Sequence, residues 1–116
     1  MTQANYTQAQ IDTIVNEAKT AAYQAADRFF QDKLGGRDQY ACGFAWVEIF
    51  GIKGNTRLGK MLKAAGLRKD FSRTFTLWNP SGYGVQNVDT LEAGAYAAAA
   101  VFERHGFQAY AASRLD

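Results

Sequence analysis

The residues of this 116-residue chain that come nearest to an enzyme motif are Gly54-Asn55-Thr56-Arg57-Leu58-Gly59-Lys60-Met61, which follow an expected strand. They match a P-loop until its last position, where a Ser or Thr hydroxyl should ligate magnesium and Met61 has none. Asn55 also reads as a helix N-cap, which puts Gly59 and Lys60 inside the helix and not in a phosphate cradle. His105 is the one histidine, at an expected helix end where the dipole favours a cation. Without a cysteine or carboxylate cluster beside it, it makes no metal site. Cys42, the one cysteine, falls within an expected strand and reads as buried and inert. No Ser-His-Asp set and no pair of strand-borne carboxylates emerges; Glu48 is the one acid on a strand away from its ends. The expectation is therefore a protein that is not an enzyme and that uses no metal and no cofactor.

A second set of residues is suited to holding a nucleotide. Such a site needs an aromatic plate for the base, amides for base or ribose edges, and guanidinium groups for phosphate oxygens. Trp78 and Asn79 open the most turn-like segment of the chain, and Tyr83, Gln86 and Asn87 close it. Arg57 and Lys53 flank the other loop, and Arg114 and Asp116 finish the last strand. Strand alternation places Gln108, Tyr110, Arg114 and Asp116 on one face. The candidate ligand-binding set is Arg57, Trp78, Asn79, Tyr83, Gln86, Asn87, Arg114 and Asp116. Each has a plainer reading: Trp78 as core, Asn79-Pro80 as a turn only, Arg114 as partner of the terminal carboxylate.

The elements that must position these residues follow from periodicity and caps. Thr7 and Gln10 form a capping box for a helix over Gln8 to Leu34, stopped by Gly35-Gly36. Ile11, Val15, Ala18, Ala22, Ala25 and Phe29 make a heptad seam along it, supported by Ile14, Ala21, Ala26 and Phe30. At about 40 Å the helix is long for so small a domain. Part of it is expected to project and to pack on a second copy. Tyr40 to Phe50 reads as a strand with Tyr40, Cys42, Phe44, Trp46, Glu48 and Phe50 on one face and Ala41, Gly43, Ala45, Val47 and Ile49 on the other. A short basic helix is expected from Asn55 to about Ala65. A strand over Phe71 to Trp78 is expected to turn back as a hairpin through Val85 to Asn87. A helix over Thr90 to His105, capped by Asp89 and Glu92, then leads to a last strand over Phe107 to Leu115. The fold class is α+β: a mostly antiparallel sheet of three to five strands, packed by two helices, with a long N-terminal helix for oligomerisation.

Size and composition fit one domain over 1–116, with 7–34 the oligomerisation helix and 39–116 the ligand-binding core. At 47% hydrophobic and 14% aromatic residues the chain has the material for a core and is not disordered. A single cysteine fits a reducing compartment, the first six residues show no secretory leader, and no apolar run is long enough to span a bilayer. A cytoplasmic location is expected. Net charge is only +2, but Lys53, Arg57, Lys60, Lys63, Arg68, Lys69 and Arg73 face a single acid, Asp70, within one segment. That favours an anionic partner, phosphate or nucleic acid, or else a solvated helix face balanced by acids opposite.

Gly43-Phe44-Ala45-Trp46-Val47, Leu77-Trp78-Asn79-Pro80, Gln86, Glu92-Ala93-Gly94-Ala95 and Ser113-Arg114-Leu115-Asp116 together resemble small proteins of tailed bacteriophages and prophages, the first type of the Thoeris anti-defence sponge family. The resemblance covers roughly Tyr40 to Asp116. It implies a viral, non-catalytic sponge that sequesters cyclic ADP-ribose isomers made by bacterial immune enzymes with TIR domains. It also implies homodimers through helices, sometimes hexamers, with a separate pocket for cyclic oligonucleotides. By this analogy the ADP-ribose-type site uses residues near Trp78, Asn87 and Arg114, and Arg104 belongs to the second, phosphate-holding pocket. Two other readings stay open: a nucleic-acid-binding module built on residues 53–73, and a structural or interaction protein built on the N-terminal helix.

Overall fold

A computed structural model of the chain describes residues 6–39, 41–69 and 74–116. The expected strand starts at Tyr40 and Phe71, and the charges of Asp70 and Arg73, lie outside the described residues.

Helix α1 spans Gln8–Leu34. Both of its ends are written in the sequence. The Thr7 hydroxyl accepts from the Gln10 amide and the Gln10 side chain returns to the Thr7 amide, while Gly35 takes the left-handed conformation that closes the last turn. Strand β1 (Gly43–Phe50) is followed by α2 (Arg57–Ala64), the two-residue β2 (Arg68–Lys69) and β3 (Phe75–Trp78). Helix α3 (Val88–Arg104) and strand β4 (Gln108–Leu115) complete the order. The four strands form one antiparallel sheet in the order β2-β3-β1-β4.

Helix α3 lies on β1 and β4, and α1 packs along α3. The inward residues Val47, Ile49, Phe75, Leu77 and Ala109 of the sheet share one core with Ile11, Ile14 and Val15 of α1, Leu58 and Leu62 of α2, and Phe102 of α3. Small residues let the two long helices approach closely: Ala18, Ala22, Ala26, Ala95 and Ala98 are all fully buried. Gly94 marks the tightest point, where a Cβ would stand 3.1 Å from the Ala22 carbonyl oxygen and 2.9 Å from Ser81 Cβ.

Four expectations are corrected. The α1 seam is covered by this chain's own α3 and core from Ile11 to Ala26, and Leu34 at its end is buried too. The seam is therefore spent on this chain's own core, and near the end of the helix Phe30 packs on Tyr83. Val85 to Asn87 makes no hairpin with β3; the chain crosses to the start of β1 and makes one bridge there, Cys42 to Asn87. Thr56, not Asn55, caps α2 through its hydroxyl and the Gly59 amide. Asn87, not Asp89, caps α3, its side-chain oxygen accepting from the Thr90 amide. With α2 starting at Arg57, Gly59 and Lys60 sit within the helix, so the Gly54–Met61 segment forms no phosphate cradle. Among the described residues no helix is long and apolar enough to cross a membrane.

Candidate functional site

Alternation along β1 hands the even-numbered residues to the face of the sheet opposite the core. Register then decides their neighbours. Trp46 stands between Trp78 and Ala112, and Glu48 between Thr76 and Tyr110. Phe44 is opposite Arg114, Phe50 opposite Gln108, and Arg68 of β2 opposite Thr76. The result is a surface of rings and charges with no helix over it among the described residues. Phe50, Trp78, Tyr110, Arg68 and Arg114 are exposed, and Phe44, Trp46, Glu48 and Thr76 are half-buried.

The rings form two groups. Trp46 and Trp78 stack with centroids 5.3 Å apart and planes 14° from parallel, and Phe44 leans on Trp78 at 5.6 Å. Further along β1, Phe50 meets Tyr110 edge to face at 5.5 Å. The Arg114 guanidinium lies 5.2 Å from the Phe44 ring centre, a cation–π contact that orients the arginine toward the tryptophans. Trp46, Glu48, Arg68, Lys69, Thr76, Trp78 and Arg114 line a hollow of about 610 Å³ on this face. Lys69 is partly engaged already, its ammonium donating to the Ile52 carbonyl at 2.9 Å.

This arrangement has a definite chemistry. Trp78 is 49% exposed and backed by a second indole, so it offers a supported π-face to a flat ring. Arg68 and Arg114 bring two forked donors to the hollow's lining, suited to phosphate or carboxylate oxygens. Glu48 accepts hydrogen bonds and matches the exocyclic amino group of a base.

Of the candidate set, Trp78 and Arg114 line this hollow. Asn79 is beside it, with φ at 44°, its amide donating to the Ala45 carbonyl at 3.0 Å. It shares with Trp78, Lys19 and Arg68 a neighbouring depression of about 410 Å³. The others are placed elsewhere. Arg57 donates to the Tyr6 carbonyl at 2.7 Å, tying α2 to the start of α1. Tyr83 lies against α1, between the rings of Tyr23 and Phe30, and its hydroxyl donates to Asp27 at 2.6 Å. That bond to a carboxylate, with some desolvation, raises the Tyr83 phenol above its ordinary value of 10.0. The Gln86 amide donates to Asp38 at 3.0 Å, and its side chain accepts from the Cys42 thiol at 3.6 Å. Cys42 is exposed, not buried as its mid-strand position suggested.

Asn87 is fully committed to structure. Its side-chain oxygen takes the amide and hydroxyl of Thr90 at 2.9 and 3.0 Å, its side-chain amide donates to the Gln39 carbonyl, and its backbone amide donates to Asp38. Asp116 extends the β1–β4 ladder, its amide donating to the Cys42 carbonyl at 3.1 Å.

Arg104 is at the other end of the molecule, in an ion pair with Glu17 at 3.3 Å. His105 joins the same carboxylate at 2.9 Å, and this bond, helped by Arg104, lowers the Glu17 carboxyl below its ordinary 4.5. Arg104 and Glu17 line a separate hollow of about 570 Å³ with Thr13, Asn16, Thr20, Ala21 and Gln24.

Five residues of the sheet-face hollow were not among the sequence candidates or were given no role: Trp46, Glu48, Arg68, Lys69 and Thr76. The signal for the first two was present, since the even-numbered face of β1 reads as aromatic with one acid. Arg68 and Lys69 carried none beyond their charge, because β2 is too short to show a pattern. Among the described residues no three His, Cys, Asp or Glu side chains gather as a metal site. Compared with known proteins, the chain matches no family model, no curated sequence and no solved structure.

Proposed function

We propose that this chain is a non-catalytic binding protein that holds a nucleotide-type small molecule on the open face of its sheet. A base stacks on Trp78, Glu48 receives its amino group, and Arg68 and Arg114 take the phosphate oxygens. The observation that carries this reading is the stacked Trp46–Trp78 pair sharing one hollow with two arginines and a carboxylate. The resemblance to anti-defence sponges supports a narrower version. The ligand is then a cyclic ADP-ribose isomer or a cyclic oligonucleotide, kept intact and away from its effector in the cytoplasm of an infected bacterium. Sequestration calls for affinity without turnover, which stacking and charge-assisted bonds supply.

Both tryptophans of the chain are in this hollow, so their emission reports on it directly. Titration with ADP-ribose, cyclic ADP-ribose and cyclic dinucleotides should give saturable quenching by at least one of them, and chromatography should recover that ligand unchanged. Absence of quenching by all of them, or recovery of a cleaved product, overturns the proposal.

One observation favours a second reading. The ring surface continues past the hollow to Phe50 and Tyr110, which is longer than one nucleotide needs and suits a single-stranded nucleic acid. Such binding would strengthen with oligonucleotide length and fall steeply with salt. Of the basic segment, Arg57 and Lys63 donate to the backbone carbonyls of Tyr6 and Gly54, whereas Lys53 and Lys69 line a hollow beside Phe50.

A further inference from the structure

The two edges of the sheet are unlike. On one side the sheet ends in β2, which has two residues. On the other it ends in β4, eight residues long, paired with β1 in unbroken register from Gln108 to Leu115. The β4 sequence QAYAASRL contains no proline, no lysine and no bulge, devices by which exposed edges resist pairing, and its one charge, Arg114, stands on the open face opposite Phe44. The direction of the hydrogen-bonding groups that it leaves unused among the described residues is fixed by one contact. The Asp116 amide donates to Cys42 on β1, so the even-numbered residues turn their backbone groups toward β1. Successive residues alternate, so Ala109, Ala111, Ser113 and Leu115 turn theirs outward.

We propose that two copies of the chain join antiparallel along β4, about a two-fold axis at Ala112, into one eight-stranded sheet. This register is set by the strand itself, because it alone gives all four outward residues a partner. Ala109 pairs with Leu115 of the partner subunit, and Ala111 with Ser113 of the partner subunit. The side chains at the seam are mostly small, so the backbones can close. On the open face Tyr110 stands opposite Arg114 of the partner subunit, a favourable cross-strand cation–π pair. The two Arg114 side chains stay about 13 Å apart along the strands. The pairing also accounts for exposed apolar groups. Tyr110 and Leu115, 54% and 66% exposed, lie on this edge. Tyr96, 61% exposed, is one helical turn from Glu92, whose carboxylate holds Ser113, and so flanks the same edge.

The functional consequence is a continuous ring-and-arginine surface in which Tyr110 of the partner subunit stands beside Arg114 at the border of each nucleotide hollow. The pairing itself needs no ligand and stands or falls apart from the nucleotide reading.

The test is sedimentation velocity of the full chain across a concentration series, beside Ala111→Pro. Proline at 111 removes an outward N–H and none of the bonds to β1. The wild type should reach twice the chain mass, and Ala111→Pro should stay at the chain mass with an unchanged circular dichroism spectrum. A second variant, Ala112→Cys with Cys42→Ser, places two thiols on the axis in a non-hydrogen-bonded pair. Their Cα atoms would then be about 4.5 Å apart, within the span of a disulfide. Mild oxidation should convert it to a covalent dimer. A wild type that remains at the chain mass overturns the inference. So does a folded Ala111→Pro that still dimerises, or an Ala112→Cys chain that does not cross-link. If Ala111→Pro does not fold, the cross-link alone decides.

Discussion

The two faces of the sheet are made by alternate residues of the same strands, and they are opposites. Ala45, Val47, Ile49, Phe75 and Leu77 point into the core and are at most 4% exposed. Phe44, Trp46, Glu48, Thr76 and Trp78, their immediate neighbours in sequence, point away from it and carry rings, a carboxylate and a hydroxyl. A sheet of four strands with helices on one side would ordinarily place polar residues on the other. Here that face holds two tryptophans, two phenylalanines and a tyrosine among charges. On the proposed function, stability and binding fall to alternate positions of one strand, and substitutions should separate them.

The largest effect is expected on the covered face. Phe75 is fully buried, and Phe75→Ala should lower unfolding free energy by about 3–5 kcal/mol, measured by urea denaturation, with no change in ligand affinity for the fraction that stays folded. Next is the contact between helices. Gly94→Ala should cost about 1–3 kcal/mol by the same assay, because the new methyl meets the Ala22 carbonyl and Ser81 at the α1–α3 crossing. If this change is neutral, the close approach of the helices is not as described.

On the open face the pattern should invert. Trp78→Ala should reduce stability by only about 1 kcal/mol through loss of the Trp46 stack. Its loss of base stacking should weaken nucleotide binding by about ten- to a hundredfold, read by calorimetry. Equal losses in both assays would mean that the tryptophan pair is only packing.

The smallest effect is expected far from both faces, at the Glu17 link between α1 and the end of α3. The folded-state carboxyl is lowered, first by His105 and then by Arg104, so its contribution is present above 4.5 and is lost as pH falls through the lower, folded-state value. The group is exposed, so the effect is small. The Tm difference between wild type and Glu17→Gln should be open near neutral pH and should close as the solution becomes more acid than 4.5. A difference that is constant across that range would show that the link is not ionic.

What the sequence disclosed about this fold depended on whether the signal was local. The ends of α1 were legible because a capping box and a glycine pair each act within four residues. The two faces of β1 were legible because alternation is local as well. The crossing of Val85–Asn87 to β1 was not, since the turn-rich stretch after Trp78 fits a hairpin equally well. Asn87 passes for a ligand group in sequence because an exposed amide and a buried cap look alike there. Its burial, and its bonds to Gln39 and Asp38, depend on chain segments almost fifty residues away. The site was half legible for the same reason. Trp78 and Arg114 stood out by type, whereas Trp46 joins them only through strand register, and Arg68 only through a two-residue strand. The heptad seam of α1 is apolar as its periodicity implies, but periodicity alone does not say whether α3 or a second chain covers it.

The measurement that bears most directly on the division between the faces is nuclear magnetic resonance during a titration with ADP-ribose and cyclic ADP-ribose. The account predicts that the indole N–H signals of Trp46 and Trp78 shift with the amides of Phe44, Glu48, Arg68 and Arg114, while those around Tyr83, Asn87 and Arg104 stay in place. Shifts confined to the Tyr83–Asn87 segment or to the Arg104 hollow, with both indoles unmoved, would contradict it.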